Sequence, residues 1–364
     1  MALDLGLLDT PATPTVHKPV LVVAVDGNAD TLAGAVLAVD VALAVAPAVN
    51  RCTVTVAAAA PAVAPGAAVT VTIDAGDGAA VSTVSGVAAA ANAGARGTVV
   101  LDIADASHVL AALRMARSYE QQSAGDILRD LCATAGVDTA DVADGNQYPF
   151  VALDDRRPAW RHVAQLAAHA GLLVGVDGEG AVWQAAPAPD DVAVAAAYGR
   201  DALSLVTRTA QPRAVPGVVG QGAAGSHGAD AWPWLVRDPA EVRVAGDGPV
   251  RFDGALRTPE AVQAAAQAAA ARAHAGFVVV VPLAPAARPG SGVEVDAVPA
   301  TFAPPTSGGA AGLLGAAGAA LGDGGSTLAG AVTHVRHRWR AGAQATTTIA
   351  ADLPATAAPA GGLL

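Results

Sequence analysis

The residues best spaced for chemistry lie near the C-terminal end, where "THVRHRW" sets His334 and His337 among Arg336, Arg338 and Arg340. Two histidines three apart on a strand project to opposite faces, so one metal ion reaches both only if the strand is bulged. The three arginines alternate. That spacing gathers them on one side as a basic stripe, facing solvent, a partner or a channel. His162 and His169, seven apart, share a helix face, yet no carboxylate or cysteine completes a ligand set at a readable spacing. With Asp154 and Asp155 they are the scattered residues that an enzyme on a β-rich scaffold would draw on.

Other motifs carry less. "GQGAAG" at 220–225 matches a dinucleotide fingerprint as letters, but "SHGADAWPW" follows, and no helix starts there to face a phosphate. "DAGDG" at 74–78 and "DGEG" at 177–180 are too short to supply the six or more oxygens of a calcium loop and read as turns. There is no nucleophile elbow and no His-Glu-x-x-His. No catalytic residue, metal ligand or cofactor is therefore assigned.

The totals narrow the class. The chain has 364 residues and a net charge of -11, with Lys18 its only lysine. That length supports two or three compact units, and that charge argues against wrapping nucleic acid as a main task. Cys52 and Cys132 are isolated from each other, which suits reduced thiols rather than a disulfide framework. The apolar stretch at 31–49 is interrupted by Asp40 and Pro47 and reads as paired strands, not a membrane span. The N-terminal residues lack the basic flank and apolar core of a secretory signal, which disfavours a surface adhesin.

The elements that must position these residues are mostly strands. Valine-rich runs punctuated by Asp-Gly, Gly-Asp and Ala-Gly extend from Pro19 to about Leu110 and predict an antiparallel sheet closing into a barrel or sandwich. "SYEQQSAGDILRDLCATAG" then predicts a helix capped by Ser123 with Asp126 completing a capping box, an apolar face at Ile127, Leu128, Leu131, Cys132 and Ala135, and a stop at Gly136. A second helix starts at Pro158, buries Trp160, Val163, Leu166, Ala167 and Ala170, and ends at Gly171. A hairpin turning at "DGEG" follows. Thr258 caps an alanine-rich helix running to Gly276. "FVVVVPLAP", "SGVEVDAVPA" and the pair "GAVTHVRHRWRAG" with "AQATTTIAADL" are strands, the last two a hairpin. The glycine-rich stretch at 306–327 reads as either a mobile loop or a small apolar plug, composition favouring the loop.

The order of these elements resembles the phage late control D family, the baseplate hub proteins of contractile tails, related to the hub part of VgrG. Tyr119, Ser123, Ile127, Leu128, Gly136, Trp160, Leu166, Ala167, Gly171 and Asp177 stand at the matching places. "GVVGQG", "PEAVQAAAQAAAARAHAG", "ARPGSGVEV" and the closing hairpin extend the likeness over nearly the whole chain. The second helix departs from the pattern, lacking a Ser-Asp start and an aromatic-Leu pair, and the insertion at 306–327 is long and apolar.

The resemblance implies an α+β, mainly β fold with two tail-tube-like antiparallel β-barrels and helical insert domains. Residues 1–112 would form the first barrel, 113–197 a helix-strand insert, 198–225 with 277–352 the second barrel, 226–276 a helical and irregular insert, and 353–364 a tail. It also implies a structural hub rather than an enzyme: a homotrimeric, pseudo-sixfold ring that joins a sixfold inner tube protein to a separate spike protein. Baseplate wedge or tape-measure proteins are further partners, with no sequence-specific nucleic acid binding. Assembly would be cytoplasmic and the destination a phage tail or tail-like particle. Arg336, Arg338, Arg340, Trp160 and Tyr119 are the interface candidates.

Overall fold

The computed structural model describes residues 18–94, 97–209, 218–220, 241–242, 251–271, 275–299, 302 and 326–353. Most of "GQGAAG", both Trp232 and Trp234, and nearly all of the glycine-rich insertion lie outside the described residues.

Six strands come first: β1 (Val20–Val25), β2 (Val36–Ala44), β3 (Arg51–Ala57), β4 (Ala68–Asp74), β5 (Val81–Gly94) and β6 (Thr98–Ala104). Next come α1 (Ala106–Ala112), β7 (Arg117–Ser123), α2 (Ala124–Ala135), β8 (Thr139–Val142), β9 (Gln147–Leu153), α3 (Ala159–His169) and the hairpin β10 (Leu173–Val176) with β11 (Val182–Ala185). β12 (Val192–Ala197) and β13 (Ser204–Thr209) are followed by short β14 (Val218–Gly220), β15 (Glu241–Val242) and β16 (Arg251–Asp253), then α4 (Pro259–Ala271). β17 (Ala275–Pro282), β18 (Gly292–Val298), β19 (Ser326–Arg340) and β20 (Thr346–Asp352) are the last described elements.

The fold is α+β and mainly β, as expected, but the two expected barrels do not close. Among the described residues twelve of these strands form one sheet in the order β1-β4-β5-β6-β3-β2-β19-β20-β17-β13, with β18 on β19 and β12 on β18, and the other eight form three small sheets. The physical reason is at β2: its outer edge is taken by β19 in antiparallel register, Ala44 opposite His334 through Ala38 opposite Arg340, and so never meets β1. Within each half the sheet still curls over a core. Alternation does this: in β3, Cys52, Val54 and Val56 point inward while Thr53 and Thr55 point out. Val23, Val41, Val54, Val71, Val84 and Leu101, one from each of β1 to β6, meet in the first core, and Val194, Phe277, Val279, Val295, Val332 and Ile349 meet in the second.

The two halves repeat one another. Six strands in the order first-fourth-fifth-sixth-third-second describe β1 to β6, and the same order describes β12, β13, β17, β18, β19 and β20. The irregularities repeat too. β5 slips register on β4 opposite Val84 and Ser82 and on β6 between Ala88 and Ala90; β19 slips on β18 opposite Leu328 and Ser326 and on β20 between Val332 and His334. Gly66 N donates to Ala88 O at 2.8 Å and Gly290 N to Val332 O at 2.8 Å, both glycines at positive φ after a proline. At Gly86 and Gly330 a Cβ would lie 2.4 and 2.6 Å from the carbonyls of Ala104 and Asp352, so backbones cross closely at equivalent points. The halves differ at one edge: β1 lies antiparallel to β4, β12 parallel to β18.

The helices between them build a third core. Ser123 and Asp126 form the expected capping box, and Gly136 closes α2 in the left-handed conformation. α3 follows Pro158, α4 starts at the Thr258 cap, and the two pack together, so both helical stretches share Leu110, Leu131, Trp160, Val163, Val262 and Ala266. One element departs from expectation: residues 106–112, read as the end of a strand region, are helical, because the Asp105 carboxylate accepts from Ser107 N and nucleates a turn. The hairpin between β10 and β11 docks on β5, where Ser82 Oγ donates to Gly178 O at 2.7 Å and a Cβ at Gly178 would lie 1.9 Å from Ser82 O.

Candidate functional site

The arginine stripe sits on the seam where the two halves join. β19 alternates cleanly here, with Val335 and His337 buried and His334, Arg336, Arg338 and Arg340 exposed. Arg336 Nε and Nη2 donate to the two carboxylate oxygens of Asp40 on β2 at 2.7 and 2.6 Å, and Arg338 Nε lies 3.6 Å from Asp40 Oδ2. Hydrogen bonding to Asp40 raises the Arg336 pKa. A bidentate pair on an open sheet face adds registry more than stability. The stripe is thus a clamp across an internal strand pair, with Arg340 at its outer end.

His337 faces the other way. Its Nδ1 lies 3.0 Å from Thr347 Oγ1, and burial lowers its pKa to about 4, so it is a neutral core residue. His334 and His337 project to opposite faces, as strand geometry requires, and among the described residues no cluster of three or more metal-ligating side chains is present.

The two aromatic candidates pack within the chain. Trp160 is 1% exposed, and its indole N–H donates to Ala48 O at 2.8 Å, pinning α3 to the turn between β2 and β3. Tyr119 is buried and its hydroxyl donates to Asp130 at 2.6 Å, beside Arg117 on the same carboxylate. Burial, then the bond to Asp130, pushes the Tyr119 pKa up.

His162, His169, Asp154 and Asp155 do not converge. His162 Nε2 meets the Asp154 backbone carbonyl at 3.0 Å. His169 instead pairs with Asp253: Nε2 lies 2.9 Å from Asp253 Oδ2, Gln165 Nε2 donates to the same oxygen at 2.8 Å, and Tyr148 Oη lies 3.0 Å from His169 Nδ1. Asp253 is 84 residues from His169, which is why spacing alone missed this ligature between α3 and the strand leading to α4. Burial alone would raise the Asp253 pKa, but the hydrogen bond and charge of His169, with the Ala255 amide and Gln165, outweigh it and hold the group at about 2.

A group depressed below its unfolded value stabilises the fold above that value and stops doing so as pH falls through the folded one. Wild-type stability is therefore expected to drop on the order of 2 kcal/mol between about pH 4 and pH 2 through this group, and Asp253→Asn to start lower and lack that step. Urea midpoints across this pH range measure it; an unchanged step in the variant would assign the acid sensitivity elsewhere.

Among the described residues four edges of this sheet stay open: those of β1 and β12, each paired on one side only, with Val20 and Val192 exposed, and two more. β13 pairs with β17 on one side only, and Ala89–Gly94 of β5 pair with β6 on one side only among the described residues. These are the positions equivalent to β2 and to the second half of β19, the two strands already joined in the internal seam. Leu203 and Val206 at the β13 edge are 50% and 58% exposed and Val87 beside the β5 edge is 41% exposed, an unusual exposure for large apolar side chains next to free backbone groups. A cavity of about 220 Å³ lined by Leu43, Thr83, Asp141, Asp177, Trp183 and Arg288 lies between the hairpin and both halves and holds no histidine or cysteine.

No family model matches the sequence, and no curated protein matches it. Solved structures do. The 43 kDa tail protein of prophage MuSo2 from Shewanella oneidensis is 12% identical with a TM-score of 0.63, covering 93% of this chain and 99% of that one. A tail protein from Neisseria meningitidis is 11% identical with a TM-score of 0.60, covering 93% and 97%. An Escherichia coli component of the type VI secretion system, itself described as structurally similar to the bacteriophage T4 tail proteins gp27 and gp5, is 11% identical with a TM-score of 0.55, covering 93% and 78%. Over nearly its whole length, this chain has the fold of phage tail proteins and of that secretion-system component.

Proposed function

We propose that the chain is a structural baseplate hub of a contractile phage tail or tail-like injection system, in which three copies form a pseudo-sixfold ring joining the inner tube to a separate spike. One observation carries the reading: a repeated six-stranded unit whose internal seam uses one strand edge of each half and leaves the equivalent edge of each half free. A contact that has been used once inside the chain and stands open at both ends propagates head to tail, and it closes when the rotation allows. Three chains of two units give a ring with six similar faces, suited to a sixfold tube, and three dissimilar ones, suited to a threefold spike. The similarity to tail proteins supports the same reading.

Under it the work is mechanical. Sheath contraction drives tube, hub and spike together, and the ring transmits axial load while leaving a lumen for DNA or effectors. The continuous sheet suits this, since its load runs through backbone hydrogen bonds. The helices and the docked hairpin brace the outside. The chain would assemble in the cytoplasm and end in the particle.

Affinity purification of the tagged full chain from its host, with mass spectrometry and negative-stain imaging, tests the role. Tube, sheath and a separate spike protein are expected to co-purify in rod-shaped particles. Recovery as a lone protein while the neighbouring genes are expressed would overturn the hub assignment.

A further inference from the structure

We propose that the ring closes by β13 of one copy adding, antiparallel, to the Ala89–Gly94 edge of β5 of the next, with Arg208 directly opposite Asn92 and engaging Asp102. This rests on the ring reading above and adds to it the strands, the register and the charges of the seam.

The register follows from the internal repeat. The paired irregularities place Ala88 with Val332 and Ala90 with His334, hence Asn92 with Arg336 and Gly94 with Arg338. Carrying the equivalence across the strand ladders places Val206 of β13 with Asp40 of β2. Asp40 stands opposite Arg338 in the internal seam, so Val206 stands opposite Gly94, Thr207 opposite Ala93, Arg208 opposite Asn92 and Thr209 opposite Ala91.

Backbone directions agree with this without having been used to derive it. Leu353 N donates to Ala275 O at 3.0 Å, which turns Ala275 toward β20 and, by alternation, Gly276, Val278 and Val280 toward β13. Their partners Arg208, Val206 and Ser204 then point backbone groups inward, and Leu205, Thr207 and Thr209 point theirs out. On the other strand, Val45 N donates to Thr333 O at 3.1 Å and Ala341 N to Leu37 O at 2.9 Å, so odd-numbered β19 residues face β2. Their equivalents are Ala89, Ala91 and Ala93. Outward groups of Thr207 and Thr209 thus meet outward groups of Ala93 and Ala91.

Side chains agree as well. Leu205 is buried, which puts Val206 and Arg208 on the open face; Leu101 and Ile103 are buried, which puts Asp102 and its partner Asn92 on the open face. Cross-strand neighbours must share a face, and these do. Arg208 is 72% exposed, and its ion pair to Asp352 in its own chain is loose, at 3.8 Å. Asn92 Nδ2 donates to Asp102 Oδ2 at 2.9 Å, which presents that carboxylate beside the residue opposite Arg208.

The charge order is the reverse of the internal seam, where β2 brings the acid and β19 the arginines. β13 offered to β19 would set Arg208 opposite Arg336, so that mispairing carries like charges.

The test is disulfide trapping in the full chain. Arg208 and Asn92 form a pair without mutual backbone bonds, where side chains approach closest. Oxidised Arg208→Cys with Asn92→Cys is expected to give covalent multimers on non-reducing gels, whereas Arg208→Cys with Ala91→Cys is expected to give none, since a one-residue slip moves the thiol to the other face. The native Cys52 and Cys132 are buried, with pKa values pushed up to about 12, and stay out of the reaction. As a second readout, Arg208→Asp and Asp102→Arg are each expected to weaken assembly at least about tenfold, and their combination to restore it. Cross-linking at Ala91 in place of Asn92, or none at either in a chain that still forms rings, overturns the proposed seam and leaves the ring reading standing. No cross-link and no ring overturns both.

Discussion

Replacing Trp160 by alanine is expected to cost about 4 kcal/mol of stability, among the largest effects of any single truncation in the chain. The indole is 1% exposed and packs in the helical core with Leu110, Leu131, Val163 and Val262. Truncation leaves a cavity between the packed helices and the β2–β3 turn and also strips Ala48 O of the donor that Trp160 Nε1 supplies. Trp160→Phe keeps most of the volume, loses that bond, and is expected to cost about 1–2 kcal/mol. Chemical denaturation of the isolated chain distinguishes this from a surface role. If Trp160 acted at a subunit interface, the alanine variant would melt like wild type and fail only in assembly.

The second large effect runs the opposite way. Ala91→Pro is expected to leave folding nearly intact and to weaken assembly at least about tenfold, because proline removes a backbone donor from an edge that needs it. Among the described residues no strand pairs with this edge in the single chain, so no ladder there uses that donor. The neighbouring Asn92→Pro is its control: Asn92 turns its backbone toward β6, and that variant is expected to lose several kcal/mol by breaking a ladder bond inside the sheet. Thermal melts and sedimentation velocity on the two variants read both quantities. A monomer-to-multimer equilibrium unchanged in Ala91→Pro would mean that this edge carries no contact.

Much of the architecture was legible because period-two alternation and turn residues mark strands wherever one face is buried. The capping box at Ser123 and Asp126, the stops at Gly136 and Gly171, and the closing hairpin appear where the pattern places them. Closure was not legible. Whether β2 meets β1 or β19 is decided by hydrogen bonds along an edge, and a strand's side-chain pattern is the same in either case. The arginine stripe was readable from alternation, yet its partner Asp40 lies 296 residues away from Arg336. The internal repeat did leave a trace: "PGAAVTV" and "PGSGVEV", then "STVSG" and "STLAG", occur in order in both halves. In a chain dominated by alanine, valine and glycine such matches are diluted, and only the shared register slips and close glycine crossings lift them above background. The His169–Asp253 contact was missed for a related reason, since it joins two elements that composition assigns to different inserts.

Edge-to-edge joining of copies into a ring is read out by electron microscopy of the full chain at assembly concentration, with rotational averaging of end-on views. Closed rings of three copies are expected, with six near-equivalent lobes around a lumen, the lobes alternating in how the helical brace decorates them. A chain that stays monomeric, or that associates through its helices and leaves the β5 and β13 edges exposed, would contradict edge-to-edge joining.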